Sequence, residues 1–170
     1  MSKRLFVGIE AGQPRLYESA KALMGELPGK YHPQANYHVT LAFIGCFEEE
    51  PVRRALGQME SCGSLTLETL PEPRFFKEGR KAVMYAPVKP QDPLGLLAYR
   101  VRRCLREAGI PFDDTAEYIP HITLARGVDS GMYQGQRIVP VQWEAAHFCL
   151  FESRSGENGL VYIPLERFRI

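Results

Sequence analysis

Two hexapeptides, Tyr37-His38-Val39-Thr40-Leu41-Ala42 and Pro120-His121-Ile122-Thr123-Leu124-Ala125, match at four of six positions and stand 83 residues apart, one in each half of the chain. Helical spacing precedes both copies, with Leu23 fifteen residues before His38 and Leu105 sixteen before His121, so the echo is longer than the hexapeptide. A repeat of this kind predicts two similar lobes related by a pseudo-twofold axis. On an extended strand successive side chains alternate in direction, which puts His38 with Thr40, and His121 with Thr123, on one face. Val39, Leu41, Ile122 and Leu124 then occupy the other. If those aliphatic faces pack on helices, the two polar faces line one shared cleft.

The rest of the chain supplies the elements such lobes need. Leu5 to Ile9 is a short strand-type run, and Gln13 to Leu27 has helical spacing that ends at Pro28-Gly29. Tyr37 to Ile44 reads as a strand and Glu48 to Met59 as a helix. Leu65 to Leu70 and Ala82 to Val88 read as strands, separated by a polar loop around Lys77 to Arg80. A helix from about Pro93 to Ala108 is closed by Gly109. Strands follow at Ile119 to Ala125, Val141 to Phe151 and Leu160 to Leu165, the last two joined by a loop from Ser153 to Gly159. Helices and strands are interspersed, so the expected fold class is α+β: one domain over residues 1–170, with two pseudo-symmetric lobes.

Among 170 residues, 21 basic side chains face 20 acidic ones, for a formal net charge of +1. Any affinity for nucleic acid must therefore come from a local site, since a global basic field is absent. With 45% apolar residues the chain has material for a core without metal or disulfide staples. The opening basic pair is followed by only five uncharged residues before Glu10, too few for the apolar region of a secretory signal, and no run is long enough to span a membrane. Cys46, Cys62, Cys104 and Cys149 form no Cys-x-x-Cys pair and read as reduced, mostly core thiols of a cytoplasmic protein.

Paired imidazole and hydroxyl groups suit phosphoryl chemistry. One neutral imidazole takes a proton from water as it attacks phosphorus, and one imidazolium gives a proton to the departing alkoxide. Histidine's reference pKa of about 6.5 permits both states near neutrality. The Thr40 and Thr123 hydroxyls can donate to non-bridging phosphate oxygens and hold the group in line. A metal site is the rival use of paired histidines, but neither motif offers three or four ligands at the required spacing.

In these residues the sequence resembles the two-histidine phosphoesterase superfamily, defined by two His-x-Thr motifs, and within it the bacterial and archaeal RNA 2',3'-cyclic phosphodiesterases, also called 2'-5' RNA ligases. The Arg4-Leu5-Phe6-Val7-Gly8-Ile9 opening, Phe43-Ile44-Gly45 after the first motif, Arg126 after the second, and the closing Phe148 to Ser153 and Tyr162 to Leu165 stretches carry the likeness along the whole chain. The resemblance implies two lobes, each an antiparallel sheet with helices outside, around a central cleft. It implies hydrolysis of a terminal RNA 2',3'-cyclic phosphate to a 2'-phosphomonoester by a monomer, without metal or cofactor. His38 would be the proton donor to the leaving 3'-oxygen, His121 the base, and Thr40, Thr123 and Arg126 the phosphate ligands. Strict alternation puts Arg126 on the face opposite His121, so it reaches the cleft only if the strand ends or bulges near Ala125, for which Gly127 is suited. RNA ends bearing a cyclic phosphate, or related nucleotides, are the expected partners, and no membrane. Ligation of a 5'-hydroxyl RNA by the reverse reaction, and a non-catalytic nucleotide-binding module, are the alternatives.

His32 and His147 lack a threonine two residues on and read as non-catalytic. The stretch from Arg74 to Lys81 interleaves Phe75 and Phe76 with basic residues, as a single-strand RNA contact does, but reads rather as an exposed hairpin with a hydrophobic root. Arg100, Arg102, Arg103 and Arg106 read as a solvated helical face complementing the helix dipole.

Overall fold

In the computed structural model, which describes residues 1–170, the opening apolar run becomes β1 (Ser2–Glu10), with Leu5, Val7 and Ile9 fully buried on one face. α1 (Pro14–Lys21) follows, its Leu16 and Ala20 buried. It is shorter than the spacing predicts: beyond Ala22 the chain continues in turns that still bury Leu23 and Leu27. A two-residue strand, β2 (Lys30–Tyr31), precedes β3 (His38–Glu48) and α2 (Glu49–Leu56). Next come β4 (Leu65–Glu68), β5 (Arg74–Glu78), β6 (Lys81–Pro87) and α3 (Asp92–Glu107). The chain closes with β7 (His121–Val128), β8 (Gln142–Ala145), β9 (His147–Gly156) and β10 (Gly159–Arg169).

Two four-stranded antiparallel sheets result, in the orders β10-β9-β1-β3 and β2-β7-β6-β5, with β4 and β8 forming a separate pair. The two His-x-Thr strands fall in different sheets. The lobes are not the two halves of the chain, however. β9 and β10, from the C-terminal end, complete the sheet that holds β3, while β2, from the N-terminal half, edges the sheet that holds β7. α3 packs on β3, and α2 packs on α3 and β1. α3 closes as its sequence predicts: Gly109 has φ +70°, its N–H donates to Arg106 O at 3.0 Å, and Ile110 N–H donates to Leu105 O at 2.9 Å.

Several expected boundaries are corrected. The stretch from Val141 to Phe151 is two strands, broken at Ala146. The polar segment at Lys77 and Glu78 is the end of β5, so the loop shrinks to Gly79-Arg80. The supposed loop from Ser153 to Gly159 is mostly strand, with only Glu157-Asn158 in the turn. The last two departures have one cause: strand pairing to a neighbour overrides the local polarity of a hairpin's outer half. The break at Ala146 falls where the partner changes, β8 pairing with β4 and β9 with β1 and β10. The cysteines are free, as expected, but only Cys149 is buried, and Cys46 and Cys62 are exposed.

Candidate active site

Each sheet turns one face toward a common cleft. On the first, directly opposed pairs Phe6 with Phe151 and Gly8 with Cys149 lie beside His38 and Thr40. Phe6, Cys149 and Phe151 form a small buried cluster with Tyr162 packed on it, separate from the main core. That cluster is the floor under His38. Its ring stands 4.6 Å from the Phe6 centroid and perpendicular to Tyr162 at 5.0 Å. A side chain at Gly8 would put a Cβ 2.9 Å from Val39 O and 3.5 Å from His38 Cδ2, so only glycine lets β1 and β3 approach this closely. On the second sheet His121 meets Phe76 at 5.0 Å and Tyr85 at 5.2 Å, both edge-on.

The backbone holds the two imidazoles in the same way. Nδ1–H of His38 donates to Asn36 O at 2.8 Å, and Nδ1–H of His121 donates to Ile119 O at 2.8 Å, each two residues back. Both rings are thereby set with Nε2 as the working atom. There the symmetry ends, because Thr40 Oγ1 lies 3.0 Å from His38 Nε2 and donates to it, whereas His121 Nε2 has no protein partner. Burial, only partly offset by the bond to Asn36, pushes His38 down to about 4, with His121, His32 and Arg126 adding to the effect. Burial lowers His121 as well, with Arg126 contributing. In the free protein both rings are neutral at pH 7.

A cavity of about 160 Å³ gathers His38, Thr40, His121, Thr123 and Arg126, together with Arg4, Phe6, Phe43, Ser153, Leu160 and Tyr162. All five residues singled out from the sequence therefore meet in one place. Arg126 gets there by the bulge it required. Tyr85 pairs with Thr123 but Met84 pairs with Ala125, so Leu124 is an extra residue; Leu124 and Ala125 are both fully buried, and Arg126 returns to the cleft face. A second irregularity follows at Gly127, φ +67°. The first motif bulges identically: Gly8 pairs with Thr40, Val7 with Ala42, Leu41 is extra, and Phe43 comes round to the cleft. Arg126 also sits 3.7 Å from Glu78.

Arg4 escaped the sequence reading. The signal was present, since Leu5, Val7 and Ile9 claim the buried face and leave Arg4, Phe6 and Gly8 on the other. Its guanidinium lies 5.1 Å from the Phe43 ring centroid, at the rim of the cleft. The Arg74 to Lys81 stretch divides: Phe76 faces the cleft, while Phe75 packs against Tyr133 on the opposite side of the sheet. Arg102 is not part of a solvated face. Its Nε donates to Leu41 O, the carbonyl of the bulge, at 2.9 Å, and its guanidinium lies over Tyr118. Tyr118 Oη donates to Thr40 O, and Asp113 N–H donates to Phe43 O, so these groups cover the outer edge of β3. His32 lines another pocket behind the cleft, with Nδ1 buried and unpaired. His147 is exposed, beside the C-terminal strand. No group of three or more His, Cys, Asp or Glu side chains is placed to hold a metal ion.

Neither a protein-family model nor a curated protein sequence matches the chain. Solved structures do. E. coli LigT, crystallised with 3'-AMP, superposes with a TM-score of 0.80 at 22% identity, over 100% of this chain and 99% of that one. The chain has the LigT fold. TT0787 of Thermus thermophilus is similar at a TM-score of 0.73 and 25% identity, covering 98% of this chain and 97% of its own. The PDE domain of MHV ns2 is more distant, with a TM-score of 0.57 and 15% identity. The expected architecture of two lobes with antiparallel sheets, read from the two His-x-Thr strands and the resemblance they carry, holds over the full length of the LigT fold.

Proposed function

We propose that the chain is a phosphodiesterase that opens the 2',3'-cyclic phosphate at the end of an RNA to a 2'-phosphomonoester. The single observation that carries the reading is the pair of imidazoles, anchored alike through Nδ1, sharing one cavity with two threonine hydroxyls and two guanidinium groups. Its similarity to the LigT fold supports it, LigT having been crystallised with 3'-AMP, ATP and NADP+.

His121 Nε2, free of protein partners, takes a proton from a water whose oxygen attacks phosphorus. The bond from phosphorus to the 3'-oxygen breaks, and that oxygen takes the proton of His38 Nε2–H. His38 is neutral in the free protein; entry of the anionic phosphate favours its protonation, because an opposite charge nearby stabilises the imidazolium. Protonation reverses the donor at Nε2 and releases the Thr40 hydroxyl to donate to phosphate. Thr123 and Arg126 bind the remaining oxygens, the guanidinium as a two-pronged donor. Residues 1–170 thus act as one bilobal unit with an internal duplication, one His-x-Thr motif per lobe. A 5'-hydroxyl RNA in place of water gives 2'-5' ligation with the same groups.

The test is incubation of the protein with a short RNA ending in a 2',3'-cyclic phosphate, with and without a 5'-hydroxyl partner. The expected product is the 2'-monoester. A 3'-monoester, or unchanged substrate, overturns the reading.

A further inference from the structure

A second cavity, of about 220 Å³, opens beside the phosphate pocket and shares Thr40, Phe43 and His121 with it. Its walls are Phe43, Phe76, Tyr118 and Ile119, and Arg102, Asp113 and Glu117 also line it. The two cavities differ in charge. The phosphate pocket is lined by Arg4 and Arg126 and by no carboxylate, whereas here one guanidinium stands among two carboxylates, which disfavours a phosphate.

These three charged groups do not satisfy one another. Arg102 spends Nε on Leu41 O and its flat face on Tyr118, leaving both terminal amino groups without a protein acceptor. Asp113 Oδ1 accepts from the backbone N–H and hydroxyl of Thr115, leaving Oδ2 open. The Thr115 hydroxyl and N–H hold the Asp113 carboxyl below its usual range and Arg102 adds a smaller push through space, but the direct hydrogen bond of Arg102 goes elsewhere. Glu117 is exposed and makes no ion pair. A slot with aromatic walls and separated donors and acceptors matches a flat heterocycle carrying both on one edge.

We infer that this cavity seats the terminal nucleobase and selects guanine, with Arg102 donating to the O6 acceptor and Asp113 or Glu117 accepting from the adjacent N1–H and N2–H2 groups. Guanine is the RNA base that sets two N–H donor groups side by side next to a carbonyl acceptor. Adenine presents an amino group where the guanidinium needs an acceptor, and the pyrimidines offer a carboxylate no paired donors. The inference rests on the cyclic phosphodiesterase reading for the placement of the phosphate, and adds to it which RNA ends are preferred.

The experiment is calorimetric titration of the intact protein with the 3'-monophosphates of guanosine, adenosine, cytidine and uridine, alongside turnover of RNAs ending in each base as the cyclic phosphate. Guanosine 3'-monophosphate should bind about tenfold or more tightly than the others, the discrimination expected of one two-pronged contact to a base edge. Asp113→Asn and Glu117→Gln should narrow that ratio. Glu117 is exposed and makes no polar contact of its own, so E117Q reports on recognition even where D113N unfolds. Equal affinity for all four nucleotides, or an unchanged ratio in both folded variants, overturns the guanine subsite while ring opening stands. Guanine preference in binding with no ring opening of any RNA would instead sink the catalytic reading and leave the subsite.

Discussion

Thr40 Oγ1 donates to His38 Nε2 at 3.0 Å, while Thr123, two residues after the other histidine, makes no such bond to His121. The two motifs repeat in sequence but not in hydrogen bonding, which separates a ring held in reserve from one ready to accept a proton. Thr40→Val removes both this bond and a phosphate donor. Steady-state kinetics should show a loss of about tenfold or more in kcat/KM, with Thr40→Ser close to the parent; equal losses in both variants would argue that the methyl group, not the hydroxyl, is needed.

Replacing either imidazole removes one proton transfer. His38→Ala and His121→Ala should each lower kcat on a cyclic-phosphate RNA by about 10²- to 10⁴-fold, with circular dichroism unchanged. Full activity in either variant would contradict its role.

The pH profile follows from the two lowered imidazoles. Free protein has His38 at about 4 and His121 below its ordinary value, so kcat/KM, which reports the free enzyme, should peak on the acid side of neutrality. Bound phosphate is negative and raises both groups. The kcat profile is therefore displaced to higher pH than the kcat/KM profile, and coincident profiles would show that the phosphate does not sit between the rings.

Stability has the same origin. His38 and His32 both lie near 4 in the fold and near 6.5 when unfolded. Between those values the unfolded chain binds more protons, so stability is fully present above about pH 6.5 and is lost as pH falls toward 4. Thermal melts across this window should show Tm falling, and inorganic phosphate should recover part of the loss by pairing with the charged His38. A Tm that is flat from pH 7 to 4 would be inconsistent with neutral buried imidazoles.

Arg126 faces two anions in turn. Glu78, 3.7 Å away, competes with substrate phosphate for the guanidinium. Glu78→Gln should lower KM modestly and Arg126→Met should raise it, most clearly at low ionic strength where exposed charges are least screened.

The site was legible because its chemistry sits on alternating strands. His38, Thr40, His121 and Thr123 needed only a period of two to be placed on common faces. Arg126 was legible only conditionally, since a bulge is a matter of pairing between strands and leaves little trace in one of them. Phe43, its counterpart after the first motif, and Arg102 were missed for related reasons. Phe43 turns into the cleft only because Leu41 is extra, and Arg102 turns inward only because that extra residue frees a carbonyl. In the fold, α3 with its glycine cap was read closely, because helix ends obey local rules. β2, with two residues, and the outer halves of the hairpins β5-β6 and β9-β10 were not, because nothing local distinguishes them from loop.

Exchange of strands between the sheets has a consequence of its own. Cutting the chain midway would part β1 and β3 from β9 and β10, and β2 and β5 from β7, leaving each fragment with unmatched sheet borders. Neither piece is a self-sufficient folding unit, so the doubled motif cannot be dissected into two smaller working proteins. Ends and middle must assemble in one cooperative event, and a break between the halves is tolerated only while both fragments stay together.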